Sequence, residues 1–477
     1  MTDLISAAVG GRVVAVNDEF FAEAVSLLNP AGPVWKEGEY TDRGKWMDGW
    51  ETRRRREPGH DWCVIALGIP GRVKTVRMDT SYFTGNYPEA FSLEGCGVGS
   101  DDRLEEAVWV ELIGKTPLTG DALVEFGVDD PHRVTHLRLN IFPDGGVARL
   151  RVEGDPIPAK DHVCPDQGRV DLVSSLVGGE ALEASDLHYS PPSNMLRPTD
   201  PAGMWDGWET RRRRGPGHDW ASFRLGLPGV IESVEIDTRH FKGNAPGWVS
   251  VQLSDDGESW HEVVTRAAVD PDTVNTVPLV GGARAGFLRL DVHPDGGVAR
   301  LRLWGIPDPQ TVESRRLEYL NALFDFEARR LFGAACGAPI WVGAMVAARP
   351  FASVEVVLTT ADARFDLMGE SDWLEAFASH PRIGERGDAL AEREQAGTAA
   401  APDPVLKALS EVNAAYEDRY RFTYIVYATG KTAEEMLEIA RERLGNTRER
   451  EIQIASEQQR AITRTRLRRM LCNGAAE

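Results

Sequence analysis

A fifteen-residue stretch occurs twice in this chain and strongly limits its fold. Residues 48–62 read DGWETRRRREPGHDW and residues 206–220 read DGWETRRRRGPGHDW, so only Glu57 and Gly215 differ. The sequence PDGGVARLR follows each copy, at 143–151 and again at 294–302. Repeats of this length indicate tandem domains rather than a solenoid. The shared residues are mostly polar, and a hydrophobic core does not require them, so we take the motif as the candidate site.

Alternating apolar and polar residues predict short strands in both repeats. VKTVRMDT at 73–80 and IESVEIDT at 231–238 have this period of two, and turn sequences such as PDGG and SDDGES separate such segments. The pattern favours an antiparallel sandwich or a jelly roll. After about Ser314 the apolar residues take helical spacing, which predicts a helical bundle. We therefore expect a multidomain chain with β domains at 1–160 and 165–307 and an all-α domain at 315–477.

Composition indicates which kinds of partner and which cellular compartment to expect. The formal net charge of −20 over 477 residues argues against nucleic acid or an anionic membrane as the main partner. The five cysteines are scattered and form no CxxC pair, so neither a disulfide framework nor a zinc finger is expected. The N-terminus does not resemble a signal peptide, and no run of about 18 apolar residues occurs. We expect a cytoplasmic protein that does not span a membrane.

The motif offers several kinds of polar chemistry. If residues 53–56 are extended, their arginine side chains alternate, and two of them face one way. Such a pair suits a carboxylate or a ureido carbonyl, but each arginine also suits an ion pair with a nearby acid. The His-Asp neighbours at 60–61 and 218–219 suggest a general-base dyad, a metal site or simply a turn. The residues alone predict a polar, anion-binding pocket and leave its reaction open.

The repeated pieces together resemble the allantoicase family. WETRRRR, PGHDW, F-x-GN and PDGGVARLR occur in this order, twice, within residues 1–307. The resemblance implies hydrolysis of allantoate to ureidoglycolate and urea, two jelly-roll (galactose-binding-like) sandwiches and a homo-oligomer. The carboxylate and ureido groups of allantoate complement arginine and carboxylate side chains.

By this resemblance the motif residues become site candidates. Our hypothesis is that an acid or a histidine activates water or assists urea departure while arginines hold the substrate carboxylate. The catalytic candidates are Asp48, Glu51, His60, Asp206, Glu209 and His218. The substrate-binding candidates are Arg53, Arg54, Arg55, Arg211, Arg212 and Arg213. We expect neither a metal nor a cofactor.

A second candidate site lies in SHPRIGER at 379–386, after the helical pattern DWLEAFA. Pro381 disfavours helix at His380, so this ring either points into a pocket or interacts with the end of the helix. CGAPIWVGAMVAARPF, HPRIGE, REQAG and ATGKTAEEML, with the closing helix, resemble the family of 2-oxo-4-hydroxy-4-carboxy-5-ureidoimidazoline (OHCU) decarboxylase over residues 315–473.

This second resemblance implies an all-helical fold and a cofactor-free decarboxylation that gives (S)-allantoin. By position His380 is the proton donor, and Glu394 joins it in the catalytic set. Gln395, with Glu394, holds the ureido end. The substrate-binding candidates are Pro381, Gln395, Phe422 and Tyr424.

A bifunctional enzyme of ureide catabolism is therefore predicted, since both resemblances fall in one pathway. The alternative is a tandem jelly roll that binds a ligand without chemistry and serves as an oligomerisation scaffold for the decarboxylase. The polar motif in both repeats favours the enzyme, because exposed aromatic residues would be more typical of a lectin-like site.

Overall fold

The computed structural model describes residues 2–99, 103–164, 168–383 and 401–471. It divides into two units, Met1–Phe324 and Asp325–Glu477. The first unit contains both repeats and the second is helical, so the expected order of β domains followed by an α domain is confirmed. Among the residues just named, no helix is long and apolar enough to cross a membrane.

The first repeat forms a β-sandwich. Its strands are β1 Thr2–Asp3, β2 Arg12–Val16, β3 Tyr40–Thr41, β4 Gly44–Lys45, β5 Trp50–Glu51, β6 Asp61–Asp79, β7 Ala90–Cys96, β8 Val110–Pro117, β9 Leu123–Gly127, β10 Val134–Phe142, β11 Gly146–Val147 and β12 Arg149–Pro156. The first half of β6 lies between β2 and β10, and its second half lies between β12 and β9. One long strand thus joins the two halves of the sandwich.

The second repeat has the same plan. Its strands are β13 Val170–Asp171, β14 Glu180–Ala184, β15 Trp208–Glu209, β16 Asp219–Asp237, β17 Trp248–Ser254, β18 His261–Ala268, β19 Val274–His293, β20 Gly297–Val298 and β21 Arg300–Pro307. Here β19 is one continuous strand where the first repeat has β9 and β10. Its core contains Trp208, Phe223 and Leu288, and the last two are partners on the neighbouring strands β16 and β19. Every pairing in both sandwiches is antiparallel, as the alternation predicted.

Short helices complete the first unit. Helix α1 is Lys160–Val163 and helix α2 is Pro309–Ala322. Short 3₁₀ turns cover Ala7–Val9, Ala24–Leu28, Leu104–Glu106, Ser175–Val177, Pro192–Leu196 and Met204–Asp206.

Helix α2 belongs to the first unit, although the sequence suggested a helical domain from residue 315 onward. The Arg315 guanidinium donates to the carbonyls of Val177 and Gly226 in the second repeat, at 3.2 and 3.1 Å. At the other end of the helix, the Ala322 carbonyl accepts from the Arg133 backbone N–H of the first repeat at 2.6 Å. The helical periodicity was therefore correct, but this helix packs on both sandwiches, and the second unit begins after Phe324.

The second unit is built from helices. They are α3 Asp325–Ala335, α4 Pro339–Ala347, α5 Val354–Phe365, α6 Glu370–Ala378, α7 Asp403–Tyr420, α8 Ala433–Arg443 and α9 Arg448–Leu471. The Ser353 and Thr432 side chains accept backbone N–H groups at the starts of α5 and α8, as N-caps do. The core around α7 packs Tyr416 and Tyr420 against Met436.

Candidate functional site

The repeated motif lies along the PDGG turn in each sandwich. In the first repeat β5 pairs with β11, the Thr52 N–H donates to Gly145 at 3.1 Å, and the Arg55 N–H donates to Asp144 at 2.8 Å. In the second repeat Gly296 donates to the Thr210 hydroxyl at 3.1 Å, and the Arg213 N–H donates to Asp295 at 2.7 Å. The two identical stretches therefore form two copies of one local structure.

A carboxylate–amide pair lies at this turn in both copies. The Asn86 amide donates to Glu51 at 2.7 Å, and the Asn244 amide donates to Glu209 at 2.6 Å. Both glutamates are half-buried. Burial raises the pKa of Glu51, and the hydrogen bond from Asn86 opposes that effect. The asparagines were not proposed as site residues, although F-x-GN in both repeats was a signal that could have identified them.

The arginines of the motif alternate between paired and unpaired side chains. Arg53 binds Asp18 at 2.6 Å and Arg211 binds Asp186 at 2.9 Å. Arg55 binds Asp61 and Arg213 binds Asp219. The intervening side chains are exposed and have no hydrogen-bond or ion-pair partner within the described ranges: Arg54, Arg56, Arg212 and Arg214. Alternation thus leaves one set of guanidiniums available to a ligand and commits the other to the fold.

Asp48 and Asp206 are held by arginines of the ARLR segment. Asp48 accepts from Arg149 at 2.8 Å, and Asp206 accepts from Arg300 at 2.6 Å. Asp206 also pairs with Arg197, and its side chain is only 4% exposed. These ion pairs fix the chain that enters the motif, and the catalytic role suggested above stays a prediction.

A dyad between neighbouring His and Asp residues, one of the interpretations that the sequence left open, does not form in either repeat. Asp61 binds Arg55 and Asn17, while Asp219 binds Arg213 and Ser185. Successive residues point to opposite sides where a strand begins, so each histidine is turned away from the aspartate that follows it.

The two motif histidines have different neighbours. Nε2 of His218 lies 3.2 Å from Oδ1 of Asp291, a residue that the sequence analysis missed. The ring of His60 packs against Phe142 at 4.8 Å and has no hydrogen-bond partner among the residues that the structure describes.

The strands beneath the histidines explain this difference. Asp291 faces Trp220 and Ser250 across its strand pairs, and Asn140 faces Trp62 and Ser92 in the same way. Asn140 is therefore the first repeat's counterpart of Asp291. Because the two copies differ here, no repeated motif could have pointed to Asp291.

In the helical unit, His380 follows the end of a helix, as Pro381 predicted. Helix α6 ends at Ala378, and the His380 N–H donates to Phe377 at 3.1 Å. His380 and Pro381 line a cavity of about 820 Å³, with Glu417 and Phe422 also on its wall. Glu394 and Gln395 lie outside the described residues.

A second, smaller cavity of about 20 Å³ also touches His380, and Tyr424 and Arg466 line it too. The Tyr424 hydroxyl donates to the Met436 carbonyl at 3.2 Å, and burial raises the pKa of this phenol. Arg466 donates to the Ala334 carbonyl at 3.0 Å. The sequence analysis missed Arg466, although it lies in the closing helix that carried part of the resemblance.

Phe422 packs between the rings of Phe377 and Tyr416, at 5.4 and 5.6 Å. It is buried but still forms part of the wall of the larger cavity. Phe422 and Tyr424 thus lie beside the two cavities that His380 joins.

Comparison with known proteins identifies both families that the sequence resembles. The model of the allantoicase repeat matches residues 2–157 and 170–308. The chain belongs to the allantoicase family. The model of OHCU decarboxylase matches residues 321–468, so the helical unit of this allantoicase-family chain is an OHCU decarboxylase domain. The chain is therefore a bifunctional enzyme of the allantoin pathway, and its substrates are small molecules. The alternative of a non-catalytic binding scaffold is set aside.

Individual allantoicases are similar to the first unit. The chain is 46% identical over 319 residues to a probable allantoicase of Pseudomonas paraeruginosa, covering 64% of this chain and 96% of that protein. A probable allantoicase of Acinetobacter baylyi is 40% identical over 318 residues, with 64% and 94% covered. The crystal structure of allantoicase from Saccharomyces cerevisiae is 33% identical, with a TM-score of 0.55 and 64% and 92% covered.

Proposed function

We propose that allantoate is hydrolysed to ureidoglycolate and urea at the PDGG turns, where the two copies of the motif lie. The observation that carries this proposal is the Glu209–Asn244 pair on the same turn as the unpaired Arg212. The first repeat offers the same groups as Glu51, Asn86 and Arg54.

Each group suits one part of allantoate. A free guanidinium binds the substrate carboxylate through charge-assisted hydrogen bonds. The glutamate accepts N–H groups of a ureido arm, and the asparagine amide donates to its carbonyl oxygen. Four arginines hold the motif in place through ion pairs: Arg53, Arg55, Arg211 and Arg213. Asp48 and Asp206 hold the chain that enters the motif, and we therefore leave both aspartates out of the catalytic set.

Urea release from allantoate tests this assignment. We expect Arg212→Ala and Arg54→Ala together to raise KM about 10-fold or more, because each removes a charge-assisted contact. Arg169→Ala is the matched control, since this exposed arginine pairs with Glu232 away from the motif. An unchanged KM in the double variant would remove these arginines from substrate binding.

For the second reaction we propose that His380 protonates the carbon left after OHCU loses CO₂. The conjugated ring of the substrate stabilises the negative charge, and a histidine side chain is suited to deliver one proton. The cavity of about 820 Å³ beside His380 supports this role because it has room for a small-molecule substrate. Pro381, Phe422 and Tyr424 would line the substrate, and Glu394 and Gln395 would bind its ureido end.

The two activities provide controls for each other. We expect His380→Ala to abolish OHCU turnover and to leave urea release from allantoate at the wild-type rate. The double arginine variant should raise KM for urea release from allantoate and leave OHCU turnover at the wild-type rate. A His380→Ala protein that still decarboxylates OHCU at the wild-type rate would contradict the assignment.

We also propose that the chain works in the cytoplasm as a homo-oligomer and does not bind nucleic acid. The net charge of −20 supports the last point. Cysteine usage supports the compartment, because the five cysteines are scattered along the sequence and form no CxxC pair. Light scattering coupled to size-exclusion chromatography measures the mass, and a monomeric mass would contradict the oligomer.

A further inference from the structure

The two repeats differ in where they place one carboxylate beneath the motif histidine. In the first repeat, Glu94 on β7 accepts two hydrogen bonds from Arg138, at 2.7 and 2.8 Å, and one from Asn140 at 2.9 Å. In the second, Gln252 occupies the position of Glu94, and the carboxylate is Asp291 on β19. Each repeat therefore has one carboxylate at these two positions, but the strand that carries it differs between the repeats.

This move brings the carboxylate to the histidine. Asp291 accepts from Arg289 and from the Gln252 amide, both at 2.9 Å, and its side chain is only 3% exposed. It is therefore fixed, and its Oδ1 also lies 3.2 Å from Nε2 of His218. The His218 side chain is 35% exposed, so the ring reaches solvent while its Nε2 is held. A buried carboxylate that orients a histidine selects its tautomer and stabilises its protonated form.

In the first repeat, no hydrogen bond joins the carboxylate to the histidine within the described residues. Glu94 is bound by Arg138 and Asn140, His60 acts on it only through its charge, and the His60 ring rests on Phe142. In the second repeat His293 takes the place of Phe142, and its ring lies 4.5 Å from that of His218. Burial and then the neighbouring His218 lower the pKa of His293, which favours a neutral His293 ring.

We propose that Asp291 is the positioning residue that makes His218 the proton-transfer group of allantoate hydrolysis, so that the second repeat carries the acid–base step and the first does not. The inference rests on the proposed site at the PDGG turns. The PDGG turn of the second repeat lies between His218 and Glu209. The His218 ring packs on His293, directly before the turn, and β20 at the end of the turn pairs with β15 at Glu209.

The hydrolysis needs no oxidant or reductant. His218 takes a proton from water while the water oxygen bonds to the substrate carbon that carries both ureido groups. The bond from that carbon to one ureido nitrogen breaks. The departing nitrogen takes the proton from His218, so that urea leaves and ureidoglycolate remains.

An exchange of residues between the repeats tests the role of Asp291. The pair Asp291→Asn with Gln252→Glu gives the second repeat the carboxylate arrangement of the first and conserves charge. We expect kcat for urea release to fall about 10-fold or more while KM changes less than about 3-fold, because the substrate contacts remain. The reciprocal pair, Asn140→Asp with Glu94→Gln, is the matched control and should not lower kcat.

The histidines themselves give a second measurement. We expect His218→Ala to lower kcat at least about 100-fold, the usual contribution of a general base, and His60→Ala to cost at least about 10-fold less. Circular dichroism of the same samples shows whether each variant keeps its β-structure.

Equal losses for the two histidines, or an unchanged kcat in the Asp291→Asn, Gln252→Glu protein, would overturn the inference. A rise in KM and a fall in kcat, together with lost β-structure, would also overturn it in favour of a structural role for Asp291. If the wild-type chain releases no urea from allantoate, the proposed function itself fails, and this outcome is distinct from the others.

Discussion

At the scale of single residues, the polar groups of the motif divide between binding and support. Asp206 bridges two arginines, Arg197 and Arg300, whereas Asp48 forms one such pair, with Arg149. A buried charge left without its partner is costly, so these aspartates stabilise the site without needing to touch the substrate.

Replacing these aspartates should therefore change stability more than chemistry. We expect Asp206→Asn to lower the free energy of unfolding by about 3 kcal/mol, because the buried Arg300 loses its counter-charge. Asp48→Asn should cost less, since its side chain is 14% exposed and it pairs with a single arginine. Thermal unfolding measures both. The urea-release rate per folded molecule should stay near that of the wild type, and a lost kcat in a folded variant would restore the aspartate to the catalytic set.

A second prediction at this scale concerns pH. Burial raises the pKa of Asp171, at the start of the second repeat, to about 6, although Arg302 opposes the shift. A carboxyl group with a raised pKa in the folded state contributes stability below its unfolded pKa, and that contribution is lost as the pH rises through about 6.

Asp171→Asn removes this titration. The free energy of unfolding of the variant minus that of the wild type should be about 2–3 kcal/mol larger at pH 7.5 than at pH 4.5. Thermal unfolding of both proteins at the two pH values measures the difference. A difference that does not change with pH would contradict the prediction.

At the scale of elements, the PDGG turn and the F-x-GN segment of each repeat pack closely against each other. A Cβ added at Gly297 would lie 2.0 Å from the ring of Phe241, and one added at Gly146 would lie 2.0 Å from Phe83. The PDGG turn and the F-x-GN segment therefore pack together only because glycine has no side chain at this position. This packing also brings Asn244 to Glu209.

We expect Gly297→Ala to destabilise the second repeat by about 1–3 kcal/mol, because the buried ring of Phe241 has to move. It should also raise KM for allantoate, since β20 pairs with β15 at Glu209. Gly243→Ala is the matched control, because a Cβ there has nothing within 4 Å. Equal stability of the two variants would show that the turn adapts without cost.

At the scale of the whole molecule, the boundary between the two units does not coincide with the change from β to helical patterns in the sequence. Helix α2 is contacted by both repeats, and Phe324 stacks on His132 with ring centroids 4.4 Å apart. The helical pattern that began near residue 314 therefore contains the last helix of the first unit and the first helix of the second.

Fragments of the chain test this boundary. We expect residues 1–324 to hydrolyse allantoate and residues 325–477 to decarboxylate OHCU, each within about 2-fold of the full chain, because each unit has its own core. A fragment ending at residue 308 should unfold at a lower temperature than the one ending at 324, since it lacks α2. Equal melting temperatures would place α2 outside the cooperative unit.

Much of the fold could be predicted from local patterns. Strand alternation and turn sequences are set by neighbouring residues, so the tandem β domains and the end of α6 before His380 followed directly from the sequence. The pairing of Arg53 and Arg55 but not of Arg54 also follows from alternation along an extended chain. The break after Ala322 was not predicted, because its cause is packing on the sandwiches.

The sequence by itself determined the repeat, the fold class and both families, because a duplicated motif and its spacing are visible without coordinates. Only the tertiary structure decided which polar residues of the motif are support and which are open to a ligand. The partner of His218 is the clearest case: Asp219 is adjacent in sequence but faces away, whereas Asp291, 73 residues later, is brought to the ring by antiparallel pairing. Register between strands, and not distance along the chain, sets that contact.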